Sequence, residues 1–261
     1  MTSNVFFMLE KTVKKMCFDI SYALKKEDIE LRFHAKFQEP DMYEPMYHVS
    51  AFSLPKVPVI TNDESKVIKM LNWGLIPFWI KDEKSMEDIR QKTFNARSET
   101  MFEKPSFRTS IKNKRCLVIT DGFFEWRHVK GINYPHYIKM AKGGAFAMAG
   151  IWDTWTNKET EEKLSTFSII TTKANPLLEK IHNKKKRMPA ILRKKDERRW
   201  LEPEVSKDEI FSMLSPIDDS CLDAYSVSKL VSNRRTKNTN VPEVLKRYEY
   251  KELNTEQAKL F

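Results

Sequence analysis

Residues 115–126 read RCLVITDGFFEW, and this stretch decides the fold. Its first half, Cys116–Ile119, is a continuous apolar run of the kind that forms a buried strand. A second apolar segment follows Asp121-Gly122 and carries one carboxylate, Glu125, between two aromatic residues. Because an ionised group is costly to bury without a partner, a glutamate in this position indicates chemistry as well as structure.

The neighbouring segments predict further strands. Val67–Leu75 reads as a strand that runs into an aromatic loop, WGLIPFW at residues 73–79. This loop is either a hydrophobic lid over the core or a platform on which nucleic-acid bases stack. Residues 135–151 predict a β-hairpin, since two apolar segments flank a turn at Lys142-Gly143-Gly144.

Residues 95–114 look helical in part, and helical signals occur in three further places. Apolar residues spaced among charges predict a short helix within Lys25–Phe37. Pro176 suits the first turn of a helix that ends near His182. Ser206–Glu209 has the pattern of a capping box ahead of a later helix.

The chain is expected to form one α+β domain over residues 16–250, because no linker rich in glycine, serine or proline divides it. Residues 1–15 are predicted to be a leader, or the product of an upstream start, that is not part of the fold. Residues 251–261 are predicted to be a C-terminal tail.

Composition narrows the function classes. The chain has 46 Lys and Arg against 36 Asp and Glu, a net charge of +10, which suits a polyanion such as nucleic acid. The three cysteines are odd in number and lack zinc-site spacing, so no disulfide framework or structural metal is predicted and a reducing cytoplasm fits. The longest early apolar run, Val5–Leu9, is too short for a signal peptide or a membrane span, so no membrane location is expected.

Cys17 would connect these features if it were the first residue of the mature chain. It would then carry a free amine and a thiol on one carbon framework. A neutral amine attacks an aldehyde to give an imine, and the neighbouring thiol closes on the imine carbon as a five-membered thiazolidine. An α-amino group has a lower pKa than a lysine side chain, so more of it is neutral at cytoplasmic pH. The alternative is that Cys17 is an inert, buried side chain.

Polar side chains elsewhere could assist this chemistry, and each has a structural alternative. Glu125 in an apolar site would have a raised pKa and could transfer protons, or it could lie on the solvent side of its strand. His182 could carry protons or cap its helix. Asn95 could orient a substrate or cap a helix, and Arg97 could hold a phosphate or form a surface ion pair.

Taken together, these segments resemble the SOS response-associated peptidase (SRAP) family, the abasic-site processing proteins. The resemblance covers roughly Met16 to Tyr248, and several of its motifs are six residues or longer. The motifs occur in the order MC at 16–17, WGLIPFW at 73–79, NARSET at 95–100, RCLVITDGFFEW at 115–126, YPHYIKM at 134–140, FAMAGIWDTW at 146–155, FSIITTKAN at 167–175, IH at 181–182, RMPAIL at 187–192 and WL at 200–201.

The resemblance implies a fold and a function. The implied fold is a single α+β domain whose antiparallel strands form a barrel-like core, flanked by helices, around a positively charged groove for single-stranded DNA. Family members bind an abasic site in single-stranded DNA and join an N-terminal cysteine to its ring-opened aldehyde as a thiazolidine. They are also described as autopeptidases that expose that cysteine. No metal, organic cofactor or obligate protein partner is implied, and we expect a cytoplasmic protein that is nucleoid-associated when bound to DNA.

Motif positions carry the family's site residues onto this chain. The implied catalytic residues are the nucleophile Cys17 together with Asn95, Glu125 and His182. The implied DNA-binding residues are Arg97, Trp73, Thr171 and Arg187. Among these, the threonine is placed near the abasic sugar and the tryptophan is expected to pack against DNA.

Three features depart from the family pattern. The family start often reads Met-Cys-Gly-Arg, whereas Phe18-Asp19 follows the cysteine here, so an arginine that could meet a phosphate is missing. Four residues, Asn183–Lys186, separate His182 from Arg187, and their lysines either replace that phosphate contact or form a solvated loop. Cys17 is also seventeenth in the chain, so its amine lies in a peptide bond, and the working form is expected to begin at Cys17.

Two other functions stay open at the level of sequence. A thiol peptidase would use Cys17 to attack the Met16 carbonyl, with Glu125 and His182 assisting. A noncatalytic single-strand-binding module would bind in a salt-sensitive way with no preference for an abasic site.

Overall fold

The computed structural model describes residues 19–232 and 238–253, so the predicted leader and Cys17 lie outside the described residues. The strands are β1 (Asp19–Tyr22), β2 (Lys36–Phe37), β3 (Met46–Ser50), β4 (Lys56–Thr61), β5 (Val67–Trp73), β6 (Asn95–Arg97), β7 (Arg115–Thr120), β8 (Gly122–Val129), β9 (Ile132–Met140), β10 (Phe146–Thr156), β11 (Lys163–Lys173), β12 (Arg187–Pro189) and β13 (Leu222–Ser226). The helices are α1 (Lys26–Phe33), α2 (Glu83–Arg90), α3 (Ser110–Asn113), α4 (Pro176–Ile181), α5 (Glu197–Leu201) and α6 (Lys207–Met213).

Five strands close a barrel. The strands β5, β4, β7, β10 and β11 pair in that order, each antiparallel to the next. A parallel pairing of β11 with β5, in which Phe167 lies opposite Trp73, completes the ring. Val59, Val118 and Ile169 are fully buried in the apolar core that results. The predicted α+β fold with a barrel-like core is confirmed.

A second sheet has the strand order β13–β9–β8–β1–β3. Because β7 runs directly into β8, residues 115–126 take the chain from the barrel to this sheet. At the corner, the Asp121 carboxylate accepts a hydrogen bond from the Ala23 backbone N–H at 2.8 Å. Gly122 is required next to it, because a Cβ atom there would lie 2.1 Å from the Tyr137 hydroxyl.

The hairpin predicted over residues 135–151 is wrong. The turn itself is present, with Gly143 and Gly144 at φ values of +69° and +82°. However, β9 pairs with β8 and β13, whereas β10 pairs with β7 and β11 in the other sheet. A glycine turn fixes only the local reversal of the chain, and long-range pairing supplied each strand with different partners.

Three helix predictions are confirmed, whereas in residues 95–114 the α-helix is only Ser110–Asn113 and Asn95–Arg97 forms the strand β6. Helix α1 lies within Lys25–Phe37, and α4 ends at Ile181, immediately before His182. Ser206 and Glu209 exchange both hydrogen bonds of the capping box at the start of α6. None of the helices in the two described ranges has the length and apolar character needed to cross a bilayer.

Candidate active site

Glu125 and His182 meet between two elements. Strand β8 carries Glu125, and His182 follows the last residue of α4, which packs against β8. Glu125 Oε1 lies 3.6 Å from His182 Nδ1, and the two side chains are 4% and 8% exposed. This separation is too long for a hydrogen bond, so the two groups are close neighbours in a buried setting.

The His182 ring is oriented by the backbone. Its Nδ1 lies 2.8 Å from the carbonyl oxygen of Arg187. A carbonyl oxygen only accepts hydrogen bonds, so Nδ1 carries a proton and Nε2 holds the lone pair of the neutral ring. The other end of α4 is fixed by Asn175, whose Oδ1 accepts from the Leu178 N–H at 2.9 Å. Because Nδ1 is held by the Arg187 carbonyl, Nε2 is the ring nitrogen that can exchange a proton with a substrate.

Strands β6 and β12 flank β11 and bring two of the polar motifs together. Arg97 lies opposite Thr171 in the parallel β6–β11 ladder. Arg187 donates from Nη1 and Nη2 to the Glu99 carboxylate at 2.8 and 3.0 Å, and from Nε to Thr171 Oγ1 at 3.3 Å. Burial alone would raise the pKa of Glu99, but the hydrogen bonds and charge of Arg187 and the charge of Arg97 outweigh it and lower that pKa.

Arg187 joins the Glu125–His182 pair to the cluster on β6, β11 and β12. Its carbonyl holds His182, and its guanidinium holds Glu99 and Thr171. Asn95, at the other end of β6, is buried opposite Ile169. Arg97 is exposed beside this cluster.

The predicted nucleophile, Cys17, lies outside the described residues. Strand β1 begins at Asp19, which pairs with Phe124, the residue before Glu125. Strand β1 therefore runs along β8, and its first residue lies beside the position that precedes Glu125.

Trp73 does not lie where a DNA contact requires. Its side chain is fully buried, its Nε1 donates to the Phe94 carbonyl at 2.9 Å, and its ring stacks on Phe167 with centroids 5.9 Å apart. The exposed rings of the aromatic loop are Phe78 and Trp79. Trp73 belongs to the core because it fills the seam at which β5 meets β11.

Arg187 and Thr171 also differ from the predicted DNA contacts. Arg187 is 9% exposed and Thr171 is fully buried. The Arg187 guanidinium is engaged with Glu99 and Thr171, so in this structure it orders the site. Glu99 was not predicted, although it lies in the NARSET motif, because nothing in the sequence identifies its partner.

His136 is a second residue that the sequence did not reveal. It lies directly opposite Glu125 in the β8–β9 ladder, where paired residues share a face of the sheet. Its Nδ1 donates to the Tyr134 carbonyl at 3.0 Å, and burial lowers the pKa of His136 to about 4. The YPHYIKM motif contains this histidine, but only the register of the two strands places it beside Glu125.

A third histidine, on β3, contacts the first residue of β1. His48 Nε2 is 3.0 Å from Asp19 Oδ1, and its Nδ1 is 2.6 Å from Thr239 Oγ1. Across residues 19–232 and 238–253, no group of three or more His, Cys, Asp or Glu side chains is arranged to hold a metal ion. The chemistry that the described side chains can perform is proton transfer, by Glu125 and by His182 Nε2, beside an exposed arginine.

Comparisons with known proteins identify the family. A family model described as SOS response associated peptidase (SRAP) matches residues 16–234. The abasic site processing protein YoqW of Bacillus subtilis is 37% identical over 233 residues, covering 88% of this chain and 99% of that protein. The abasic site processing protein HMCES of Rattus norvegicus is 32% identical over 246 residues, covering 80% and 67%. A crystal structure of a protein from Bacteroides thetaiotaomicron has a TM-score of 0.83 at 42% identity and covers 89% of this chain and 100% of that one. This chain belongs to the SOS response associated peptidase family.

Proposed function

We propose that this protein processes abasic sites in single-stranded DNA and captures the lesion covalently through Cys17. The relatives at 37% and 32% identity are named abasic site processing proteins, which supports the substrate class. The observation that carries the proposal is the buried Glu125–His182 pair, 3.6 Å apart, beside the strand that follows Cys17.

The proposed reaction needs Cys17 as the first residue. Its amine nitrogen bonds to the aldehyde carbon of the ring-opened sugar, and loss of water leaves an imine. The thiol then adds across the imine, so that sulfur bonds to carbon and its proton goes to nitrogen. One aldehyde and one aminothiol thus give one thiazolidine and one water.

Glu125 and His182 have distinct proposed roles in this sequence. Glu125 protonates the hydroxyl that leaves as water. His182 accepts a proton at Nε2 from the attacking amine, because its Nδ1 is held by the Arg187 carbonyl. Since both side chains are buried, these transfers take place away from bulk water.

Chain connectivity supports this assignment. Two residues of extended chain span at most about 7 Å, and Asp19 pairs with Phe124 next to Glu125. The chain therefore connects Cys17 to the residue that pairs with Phe124, next to Glu125. The net charge of +10 and the exposed Arg97 suit the phosphates of a DNA strand.

Adduct formation tests the proposal. Protein that begins at Cys17 is mixed with single-stranded DNA that carries one abasic site, and adducts are separated on a denaturing gel. We expect a covalent adduct that Cys17→Ala abolishes and that Glu125→Gln or His182→Gln forms more slowly. A full-strength adduct with the Cys17→Ala variant would contradict the proposed linkage.

We also propose that the chain removes the residues ahead of Cys17 itself, because the family model that matches it is described as a peptidase. Here the Cys17 sulfur bonds to the Met16 carbonyl carbon, the Met16–Cys17 C–N bond breaks, and the thiol proton passes to the freed Cys17 amine. Water then hydrolyses the resulting thioester, which releases the leader as a carboxylic acid and returns the Cys17 thiol, with Glu125 and His182 moving the protons. Intact mass spectrometry of freshly expressed protein tests this step. We expect a mature N-terminus at Cys17 in the wild type and an unprocessed chain in Glu125→Gln; equal processing in both would refute self-cleavage by this site.

A further inference from the structure

The loop between α4 and β12 carries three consecutive lysines, Lys184, Lys185 and Lys186. It is an ordered turn. The Lys186 N–H donates to the His182 carbonyl at 2.8 Å, and the Lys186 carbonyl accepts from the Ala174 N–H at 3.0 Å. The loop is therefore fixed to the same backbone that positions His182.

Asn183 attaches this loop to β8. Its Oδ1 accepts from the His128 N–H at 3.0 Å, and its Nδ2 donates to the His128 carbonyl at 2.7 Å. Within the described residues, β1 pairs with β8 only at residues 122–124. The Asn183 amide thus bonds the β8 backbone at His128, beyond the residues of β8 that pair with β1.

The anchored loop presents positive charge near the catalytic pair. Lys184 and Lys186 are exposed, and so is Lys130 at the turn between β8 and β9. His128 is three residues from Glu125, about 10 Å along the strand. Lys186 lies 3.5 Å from Glu179, but both are well exposed, and a surface ion pair of this kind contributes little.

Holding like charges together in an ordered turn costs free energy that a bound polyanion offsets. We propose that Lys184 and Lys186 bind phosphates of the DNA strand beyond the abasic nucleotide. This inference rests on the proposed function, since it names a second contact of the same substrate. The bond pair from Asn183 fixes where the loop stands relative to His128 on β8.

A matched pair of double variants tests the inference. Lys184→Gln/Lys186→Gln removes two charges from the loop. Lys158→Gln/Lys163→Gln removes two exposed charges, one at the first residue of β11 and one in the turn before it. Lys163 lies about 26 Å along the strand from Thr171. The dissociation constant is measured at several salt concentrations, for a long oligonucleotide and for one with few nucleotides around the lesion.

We expect the loop variant to bind the long oligonucleotide more weakly than the wild type. The slope of log K against log salt concentration should become shallower by about 1.4, because each phosphate that a lysine no longer neutralises contributes about 0.7. The control variant should match the wild type, and on the short oligonucleotide both variants should match it. Asn183→Ala, which keeps every charge, should also weaken binding to the long strand.

An unchanged salt slope in the loop variant, or an equal loss in the control, would overturn the inference. The adduct assay at saturating DNA separates this result from the proposed function. If the loop variant forms the adduct normally but keeps the wild-type salt slope, only the phosphate surface is wrong. If the wild type forms no adduct but the loop variant alone lowers the slope, the phosphate surface stands and the covalent step is wrong.

Discussion

At the scale of the residue, the site is built from titratable side chains whose partners are fixed by the backbone. Nδ1 of His182 is bonded to a main-chain carbonyl, as is Nδ1 of His136. Each ring is therefore held in one tautomer, and Glu125 lies in contact with one ring and opposite the other. Such contacts prepare a site for proton transfer because no ring has to reorient during the reaction.

His136 predicts how stability depends on pH. Its pKa is about 4 in the folded protein and about 6.5 when unfolded, so the unfolded chain binds more protons between these values and stability falls as the pH drops through them. We expect the free energy of unfolding of the wild type, relative to that of His136→Gln, to fall by about 3 kcal/mol between about pH 7 and about pH 4. Urea unfolding at several pH values measures it. The exposed His34→Gln is the control, and a difference that stays constant for His136→Gln would show that this ring is not kept neutral by burial.

The burial of Trp73 leads to a second prediction. Trp73→Ala should lower the free energy of unfolding by about 3–5 kcal/mol, because it leaves a cavity in the core. Trp79→Ala, in the same loop but 43% exposed, should change it by less than about 1 kcal/mol. Urea denaturation of both variants decides this, and similar stability losses would mean that the loop does not divide into a buried and an exposed part.

At the scale of the element, α4 is the short helix that delivers His182 to β8. Asn175 serves as its N-cap and also donates from Nδ2 to the Ile217 carbonyl at 3.0 Å. Pro176 occupies the first helical position, where a missing N–H costs nothing. The position of the histidine therefore depends on the start of the helix as well as on its end.

Two cap substitutions separate stability from positioning. Asn175→Ala and Ser206→Ala each remove a helix N-cap, and each should lower the free energy of unfolding by about 1 kcal/mol. Only Asn175→Ala should slow adduct formation, because α4 carries His182 whereas α6 carries none of the proposed catalytic residues. Adduct rates at a temperature where both variants are folded test this. Equal rates would show that the α4 cap does not position the histidine.

At the scale of the whole molecule, the barrel and the second sheet share residues of one core. Phe123 of β8 and Ile138 of β9 belong to the same buried cluster as Val118 of β7. The corner at Asp121-Gly122 joins the two sheets through consecutive residues. We therefore expect the two sheets to unfold together.

This arrangement predicts one cooperative unfolding transition. Cys116 in the barrel is fully buried, and burial raises the pKa of its thiol, so it should react with a thiol reagent only after unfolding. In urea, we expect labelling of Cys116 to coincide with the loss of far-UV circular dichroism. A Cys17→Ser/Cys221→Ser background leaves Cys116 as the one thiol of the sequence. Labelling that begins well before the loss of secondary structure would show that the barrel opens separately.

The sequence by itself determined the elements whose signals are local. The apolar run in residues 115–126 predicted a buried strand, the Pro176 signal predicted α4, and the Ser206 capping box predicted α6, because each depends on contacts between residues a few positions apart. The motifs in their order also identified the family, and so named Glu125 and His182.

Only the tertiary structure decided which distant residues became partners. It placed β9 and β10 in different sheets despite their glycine turn, and it buried Trp73 at the barrel seam. It also set His136 opposite Glu125 and joined Arg187 to Glu99. Strand register and barrel closure depend on pairing between segments far apart in the chain, and no local pattern of residues specifies which edges meet.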